Sequence, residues 1–192
     1  MRNNYFILRH GQTVYQAEEK GITYPWPEPS PILLTEEGKK GVEKSAKELK
    51  KKKIDVIYSS DIPRVRQTAG IVSEEIGKEI IFEPKLRDID HGIFKGRPQE
   101  EYQLFFSEPK EKLYKRPPQG ESWNDVKERM LGFLKEIDQK YKNKKILIVS
   151  HKGPLWFLEV ALKELSDEKV LELKEKGLQP GQFRELKITY EP

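Results

Sequence analysis

The chain has 192 residues, of which 35% are hydrophobic and 35% charged, and its formal net charge of +4 combines 36 basic with 32 acidic side chains. This length predicts one domain, residues 1–192, and the absence of cysteine excludes disulfides, thiolate nucleophiles and cysteine-based metal sites. No stretch has the roughly 20 consecutive apolar residues of a membrane-spanning helix, so we expect a cytoplasmic protein that contacts no membrane.

Strand-like and helix-like segments alternate along the chain. The predicted strands are residues 5–8, 55–58, 80–82, 145–149 and 183–190. The predicted helices are residues 36–53, 62–76, 123–141, 154–165 and 167–176. Repeated strand–helix–strand units predict an α/β fold, a three-layer sandwich whose mostly parallel central sheet has helices on both faces.

Side chains at the predicted helix ends support these boundaries. Thr35 is an N-cap candidate, and Ser122 has Asp125 at capping-box spacing. The Ser-Ser-Asp sequence at 59–61 is expected to cap the helix that Gly77 ends.

Two segments lack regular patterning. Residues 14–34 contain proline at four alternate positions, which predicts a long extended surface loop without a helix. Residues 98–121 combine prolines with aromatic residues and little periodicity. We expect this second segment to form an insertion or lid.

The carboxyl ends of the predicted strands bring together residues suited to phosphate chemistry. The first strand ends at Arg9 and His10, Arg64 starts the helix after the second strand, and His151 follows the strand at 145–149. Sites in parallel sheets lie beyond these strand ends, so we expect the four side chains to meet at one rim. Arginine and helix N-terminal N–H groups bind phosphate, and a neutral imidazole among them has the chemistry to attack phosphorus.

Five sequence elements occur in a recognisable order. They are residues 8–13 (LRHGQT), 58–69 (YSSDIPRVRQTA), 86–92 (LRDIDHG), 120–122 (GES) with Arg129, and 149–151 (VSH). Together they resemble the histidine phosphatase, or phosphoglycerate mutase-like, superfamily, whose R-H-G-x-T signature matches the first element. The resemblance covers most of the chain.

This resemblance implies roles for five residues. His10 would form a transient phosphohistidine, and Arg9, Arg64 and His151 would hold the phosphate. Asp88 would protonate the leaving group. The family usually has glutamate at that position, which has one more methylene, so Asp90 remains an alternative proton donor.

Three further residues are candidates for substrate contact. Gln16 stands where the family often has asparagine, His91 shares the loop of Asp88, and Glu121 belongs to the G-E-S element. Plainer interpretations stay open: His91 is a surface loop histidine, and Glu121 is an acid that complements the dipole of the next helix.

We therefore expect a metal-independent phosphomonoesterase that hydrolyses small phosphorylated metabolites through a phosphohistidine, without metal or cofactor. The first alternative is phosphoryl transfer of the phosphoglycerate mutase type, although the compact 97–120 stretch lacks the extended insertion of those mutases. The second is a non-catalytic binding module on the same fold. Acids interleave with the basic residues and no nucleic-acid motif is present, so we expect no nucleic-acid partner. A homodimer is one oligomeric state that the sequence allows.

Overall fold

Five strands form one sheet among the residues that the computed structural model describes, which are 1–163, 165–173 and 177–186. The strands are β1 (Asn4–Arg9), β2 (Val56–Ser59), β3 (Ile80–Phe82), β4 (Lys145–Ser150) and β5 (Phe183–Glu185). Their order is β3-β2-β4-β1-β5, with β1 to β4 parallel and β5 antiparallel to β1. The predicted, mostly parallel sheet is confirmed, and residues 187–190 of the predicted last strand lie outside the described part.

Helices cover both faces of this sheet. They are α1 (Val14–Ala17), α2 (Glu36–Lys52), α3 (Pro63–Ile76), α4 (Gln99–Leu104), α5 (Trp123–Lys140), α6 (Lys152–Leu162) and α7 (Asp167–Leu173), with 3-10 helices at Pro84–Leu86, Gly92–Phe94 and Pro109–Leu113. Successive strand residues point to opposite faces. Tyr5 and Ile7 of β1 pack in a cluster with α5 and α6, whereas Phe6 and Leu8 pack with α2 and α3. The predicted three-layer α/β sandwich is therefore confirmed.

None of the described helices is both long and apolar enough to cross a lipid bilayer. The longest, α5, has 18 residues, and charged residues such as Lys127 and Glu128 occupy the face opposite its buried side chains.

Three helix ends follow the signals read from the sequence. The hydroxyl of Thr35 accepts a hydrogen bond from the amide of Gly38 at the start of α2. Ser122 and Asp125 form a capping box at the start of α5. Gly77 ends α3 with a φ of 72°, a left-handed conformation that glycine adopts at little cost.

The prediction that residues 59–61 cap α3 is wrong. Ile62 is the N-cap and has no capping side chain, and Pro63 opens the helix, where its missing N–H costs nothing. Of the amides at this helix end, the Ser60 hydroxyl accepts from that of Ile62 itself, at 3.4 Å, and not from an amide of the first helical turn. The hydroxyl of Ser60 instead lies 3.1 Å from Nε2 of His151.

The prediction that residues 14–34 contain no helix is also wrong. A capping box between Thr13 and Gln16 starts the single turn of α1 before the first proline of the segment. Beyond α1 the segment forms no further helix, as expected, but Thr23, Ile32 and Leu34 are buried. This segment therefore packs onto the domain.

The segment predicted to be an insertion or lid, residues 98–121, contains α4 and one 3-10 helix. Its Tyr102 and Phe106 rings pack edge to face, and Tyr102 also contacts Phe94, forming a small aromatic cluster outside the two main cores. The cluster anchors the segment beside the loop that contains Asp88. A lid function stays a prediction.

The loop after β1 lies directly against the first turn of α2. A Cβ on Gly11 would lie 2.7 Å from the carbonyl oxygen of Gly38, and a Cβ on Gly38 would overlap the backbone of Gln12. This close approach allows no side chain at either position. It also fixes the backbone that directly follows His10.

We expect Gly38→Ala to lower the free energy of unfolding by about 2 kcal/mol, the usual cost of overpacking a tight contact. Gly41→Ala is the matched control, because a Cβ there meets no atom within 4 Å and alanine favours a helix over glycine by about 1 kcal/mol. Urea unfolding of both variants provides the measurement. Equal stability of the two variants would contradict the contact.

Candidate active site

His10 and His151 lie side by side beyond the carboxyl ends of two adjacent parallel strands. The register pairs Arg9 of β1 with Ser150 of β4, so the residues that follow each strand are neighbours. The ring centroids of His10 and His151 are 5.4 Å apart, and the two residues are 3% and 0% exposed. The structure therefore brings these two histidines together at one rim of the sheet.

The ring of His10 is held in one tautomer. Its Nδ1 lies 2.8 Å from the carbonyl oxygen of Gly11, and because a carbonyl oxygen only accepts, the neutral ring has its proton on Nδ1. Nε2 then holds the lone pair. Burial, and after it the charges of Arg64 and Arg9, lower the pKa of His10 well below its ordinary value. The ring is consequently neutral and nucleophilic at neutral pH.

His151 is neutral for the same reasons. Its Nδ1 lies 3.2 Å from a terminal nitrogen of Arg64, which can only donate, so the proton of the ring is on Nε2 and points to the hydroxyl of Ser60. Burial, followed by the charge of Arg64, lowers the pKa of His151 well below its ordinary value.

Arg64 is the second residue of α3 and is 1% exposed. One terminal nitrogen donates to Glu28 Oε1 at 2.7 Å, and the other lies 3.6 Å from Asp88 Oδ2. The guanidinium also stacks on the ring of Tyr24, 3.9 Å from its centroid. These contacts fix the orientation of a buried cation beside His151.

Arg9 supplies the second buried guanidinium group. One terminal nitrogen donates to the carbonyl oxygen of Leu178 at 2.9 Å. Within the described residues, the buried side-chain nitrogen and oxygen atoms without a hydrogen-bond partner are Nε of Arg9 and Nε of Arg64. Buried donors are normally paired. Two unpaired, positively charged donors beside one neutral histidine suit an anion with several acceptor oxygens, such as phosphate.

The two candidate acids have different environments. Oδ2 of Asp88 lies 3.5 Å from His151 Nδ1 and 3.6 Å from Arg64. The carboxylate of Asp90 instead accepts from the amide of Gly92 at 2.7 Å and pairs with Lys95. Asp88 therefore faces His151 and Arg64, whereas the carboxylate of Asp90 forms its contacts within its own loop.

Arg129 holds the loop of Asp88 in place. It donates to the carbonyl oxygens of Lys85 and Asp88 at 2.7 and 3.0 Å, and to the carboxylate of Glu121 at 2.7 and 3.1 Å. Glu121 also accepts from the amide of Asp90 at 3.0 Å. The carboxylate of Glu121 is thus already engaged with the protein on both oxygens.

A cavity of about 510 Å³ opens next to Arg64 and Asp88, and both His91 and Glu121 line it. The ring of His91 packs edge to face on Tyr102, with centroids 4.6 Å apart, and burial lowers its pKa. Gln16 is not among the lining residues: its side-chain oxygen accepts from the amide of Thr13 and closes the capping box of α1.

Sequence reasoning missed three residues of the site. Glu28 pairs with Arg64 from 36 positions away, Tyr24 packs beneath the same arginine, and Ser60 bonds to His151. The proline-rich segment gave no periodic signal that would have marked Glu28 or Tyr24. Ser60 was noticed, but as a helix cap.

Comparison with known proteins agrees with this arrangement. The model of the histidine phosphatase superfamily (branch 1) matches residues 5–189. Phosphoserine phosphatase 1 of Hydrogenobacter thermophilus is 34% identical over 134 residues, which are 67% of this chain and 64% of that protein. A 2,3-bisphosphoglycerate-dependent phosphoglycerate mutase of Parvibaculum lavamentivorans is 30% identical over 185 residues, covering 90% of this chain and 86% of the mutase.

Solved structures share the fold. A mycobacterial glucosyl-3-phosphoglycerate phosphatase superimposes with a TM-score of 0.79 at 23% identity, over 95% of this chain and 88% of that one. The match over nearly the whole chain, on a sheet that places two histidines at one rim, shows that the chain belongs to the histidine phosphatase superfamily.

Proposed function

We propose that the protein is a metal-independent phosphomonoesterase that hydrolyses small phosphorylated metabolites through a phosphohistidine on His10. Family membership makes it a phosphatase or a mutase. The observation that supports the phosphohistidine is the neutral ring of His10 beside two buried guanidinium groups whose Nε atoms have no partner.

In the first step, Arg9 and Arg64 bind the phosphoryl oxygens of the substrate. His151 joins them by redirecting its Nε2–H from the Ser60 hydroxyl to a phosphoryl oxygen. Nε2 of His10 forms a bond to phosphorus as the bond between phosphorus and the alcohol oxygen breaks. The electron pair of that bond stays on the alcohol oxygen, which takes a proton from Asp88. The Gly11 carbonyl, which accepts from Nδ1 of His10, stabilises the positive charge that develops on the ring.

In the second step, water attacks the phosphohistidine. The carboxylate of Asp88 accepts a proton from the water, and the bond between nitrogen and phosphorus breaks with its electron pair returning to Nε2 of His10. Asp88 suits this role better than Asp90 because its oxygen faces His151 and Arg64. His91 and Glu121 border the cavity where the alcohol part of a substrate would lie.

The mutase alternative differs only in the acceptor of the second step. A substrate hydroxyl, rather than water, would take the phosphoryl group. One relative is a phosphoglycerate mutase that uses 2,3-bisphosphoglycerate. Assays that follow both inorganic phosphate and isomerised phosphoglycerate separate the two activities.

Rapid quenching with a ³²P-labelled phosphomonoester tests the nucleophile. We expect an acid-labile, base-stable phosphoprotein in the wild type and none in His10→Ala, because the bond that forms is a phosphoramidate at an imidazole nitrogen. Label retained by His10→Ala would disprove the assignment.

Asp88→Asn tests the acid. We expect kcat for an alkyl phosphomonoester to fall by about 10² to 10⁴-fold, the usual contribution of a general acid. With p-nitrophenyl phosphate the loss in kcat/KM, which reports only the first step, should be much smaller than with the alkyl ester, because nitrophenolate leaves without a proton. The value of kcat should fall for both substrates, because Asp88 also activates the water of the second step. Asp90→Asn is the matched control and should change neither rate more than about threefold. Steady-state kinetics that show the larger loss in Asp90→Asn would reverse the two assignments.

The lowered pKa values of His10 and His151 predict how stability depends on pH. Both rings stay neutral in the folded protein, while in the unfolded chain they titrate near 6.5. As the pH falls below 6.5, the unfolded state therefore binds protons that the folded state does not, and stability decreases by about 1 kcal/mol per histidine at pH 5.5. In ¹⁵N NMR spectra, neither ring should titrate between pH 8 and 6, and a midpoint near 6.5 for either would contradict the burial.

A further inference from the structure

The charged side chains on the cavity wall are all paired. Among the described residues that line the cavity, five carry a positive charge: Arg64, Lys85, Arg87, Lys95 and Arg129. Each has a carboxylate within ion-pair distance. The wall therefore presents little net positive charge outside the place beside Arg64 where the phosphoryl group is proposed to bind.

The geometry of the pairs gives them little freedom to accept a second anion. Arg87 binds Asp61 through two nitrogens, with Nε 2.7 Å from Oδ1, and its guanidinium also lies 4.9 Å from the ring centroid of Trp26. Such two-point pairs between arginine and a carboxylate are among the strongest charged contacts. Hydrogen bonding to Asp61 raises the pKa of Arg87, and the same bond lowers the pKa of Asp61.

The two lysines that line the cavity are also paired with carboxylates. Lys85 Nζ lies 2.6 Å from Glu136, and Lys95 Nζ lies 3.1 Å from Asp90. Asp90 lines the cavity itself, and Glu136 lies behind the lining residue Lys85. A carboxylate or second phosphate on the substrate that contacts one of these lysines would add a second anion near its resident carboxylate, and like charges in proximity repel. A substrate anion that binds a cation of the wall would therefore compete with the resident carboxylate for that charge.

Uncharged side chains make up much of the remaining wall. Tyr24, Pro25, Trp26, Ile62, Pro84 and Ile89 line the cavity. Apolar and aromatic surfaces of this kind favour an uncharged ligand with a flat or apolar face, because its burial removes apolar area from water.

We infer that the preferred substrates are phosphomonoesters whose alcohol part has no charge, so that the transferred phosphoryl group is the only anion in the cavity. This inference rests on the proposed phosphomonoesterase activity and narrows its substrate class. It also separates the protein from a mutase that uses 2,3-bisphosphoglycerate, whose substrate contains a carboxylate and a second phosphate.

Matched aryl esters test the inference. The 4-carbamoylphenyl and 4-carboxyphenyl phosphates have the same shape and differ by one negative charge, and the 3-substituted pair samples a second position in the cavity. In at least one pair, we expect kcat/KM of the amide to exceed that of the carboxylate by about tenfold or more. In neither pair should the carboxylate have the higher kcat/KM. Equal or faster turnover of the carboxylates would overturn the inference while leaving the phosphomonoesterase assignment intact. Absence of turnover and of a phosphoprotein with all four esters would overturn both.

Variants that remove the charge of the resident carboxylates test whether these carboxylates cause the preference for an uncharged substrate. Asp61→Asn leaves the charge of Arg87 unpaired, and Glu136→Gln does the same for Lys85 at an exposed position where folding is not at risk. In at least one of them, we expect the preference for the amide to fall to about threefold or less. Glu75→Gln is the control: it breaks the surface pair with Lys50, and neither residue lines the cavity, so the wild-type preference should remain. An unchanged preference in both test variants would show that the ion pairs do not set it.

Discussion

The buried guanidinium group of Arg64 is the interaction on which the site depends. Removing a cation from water is costly unless other groups replace the lost hydration. Here Glu28 and Tyr24, both from the proline-rich segment, and the neutral ring of His151 provide that replacement. The proline-rich segment therefore has a structural reason to pack onto the domain: it supplies the carboxylate that the buried arginine needs.

The same cation controls the chemistry of its neighbours. Together with burial, its charge keeps His10 and His151 unprotonated. A protonated imidazole has no lone pair for phosphorus, so burial and the approach to arginine keep the ring of His10 in the state that the proposed nucleophile needs. Glu28 binds one terminal nitrogen of Arg64 and leaves Nε unpaired. The guanidinium is thus held through its terminal nitrogens, against Glu28 and His151, while its Nε donor has no partner.

Ion pairs also surround this centre, and their role differs with their distance from His10. Close to His10, positive charge is left with unpaired donors, which suits the phosphoryl group. Farther out, at Arg87 and Lys95, each cation is matched by a carboxylate that holds the loop in place. A protein can in this way bind one anion tightly and still disfavour a second, because discrimination follows from resident charges as much as from new contacts.

The sequence by itself determined the layered fold and the meeting of His10 with His151. The periods of 2 residues in strands and 3.6 residues in helices can be recognised in short stretches of sequence. Parallel strands necessarily place their carboxyl ends at one rim of the sheet. Only the tertiary structure showed that Asp88, and not Asp90, lies beside His151 and Arg64, and only it showed that Glu28 pairs with Arg64. Those contacts depend on the path of irregular loops in three dimensions, and loop backbones follow no period that a sequence window can reveal.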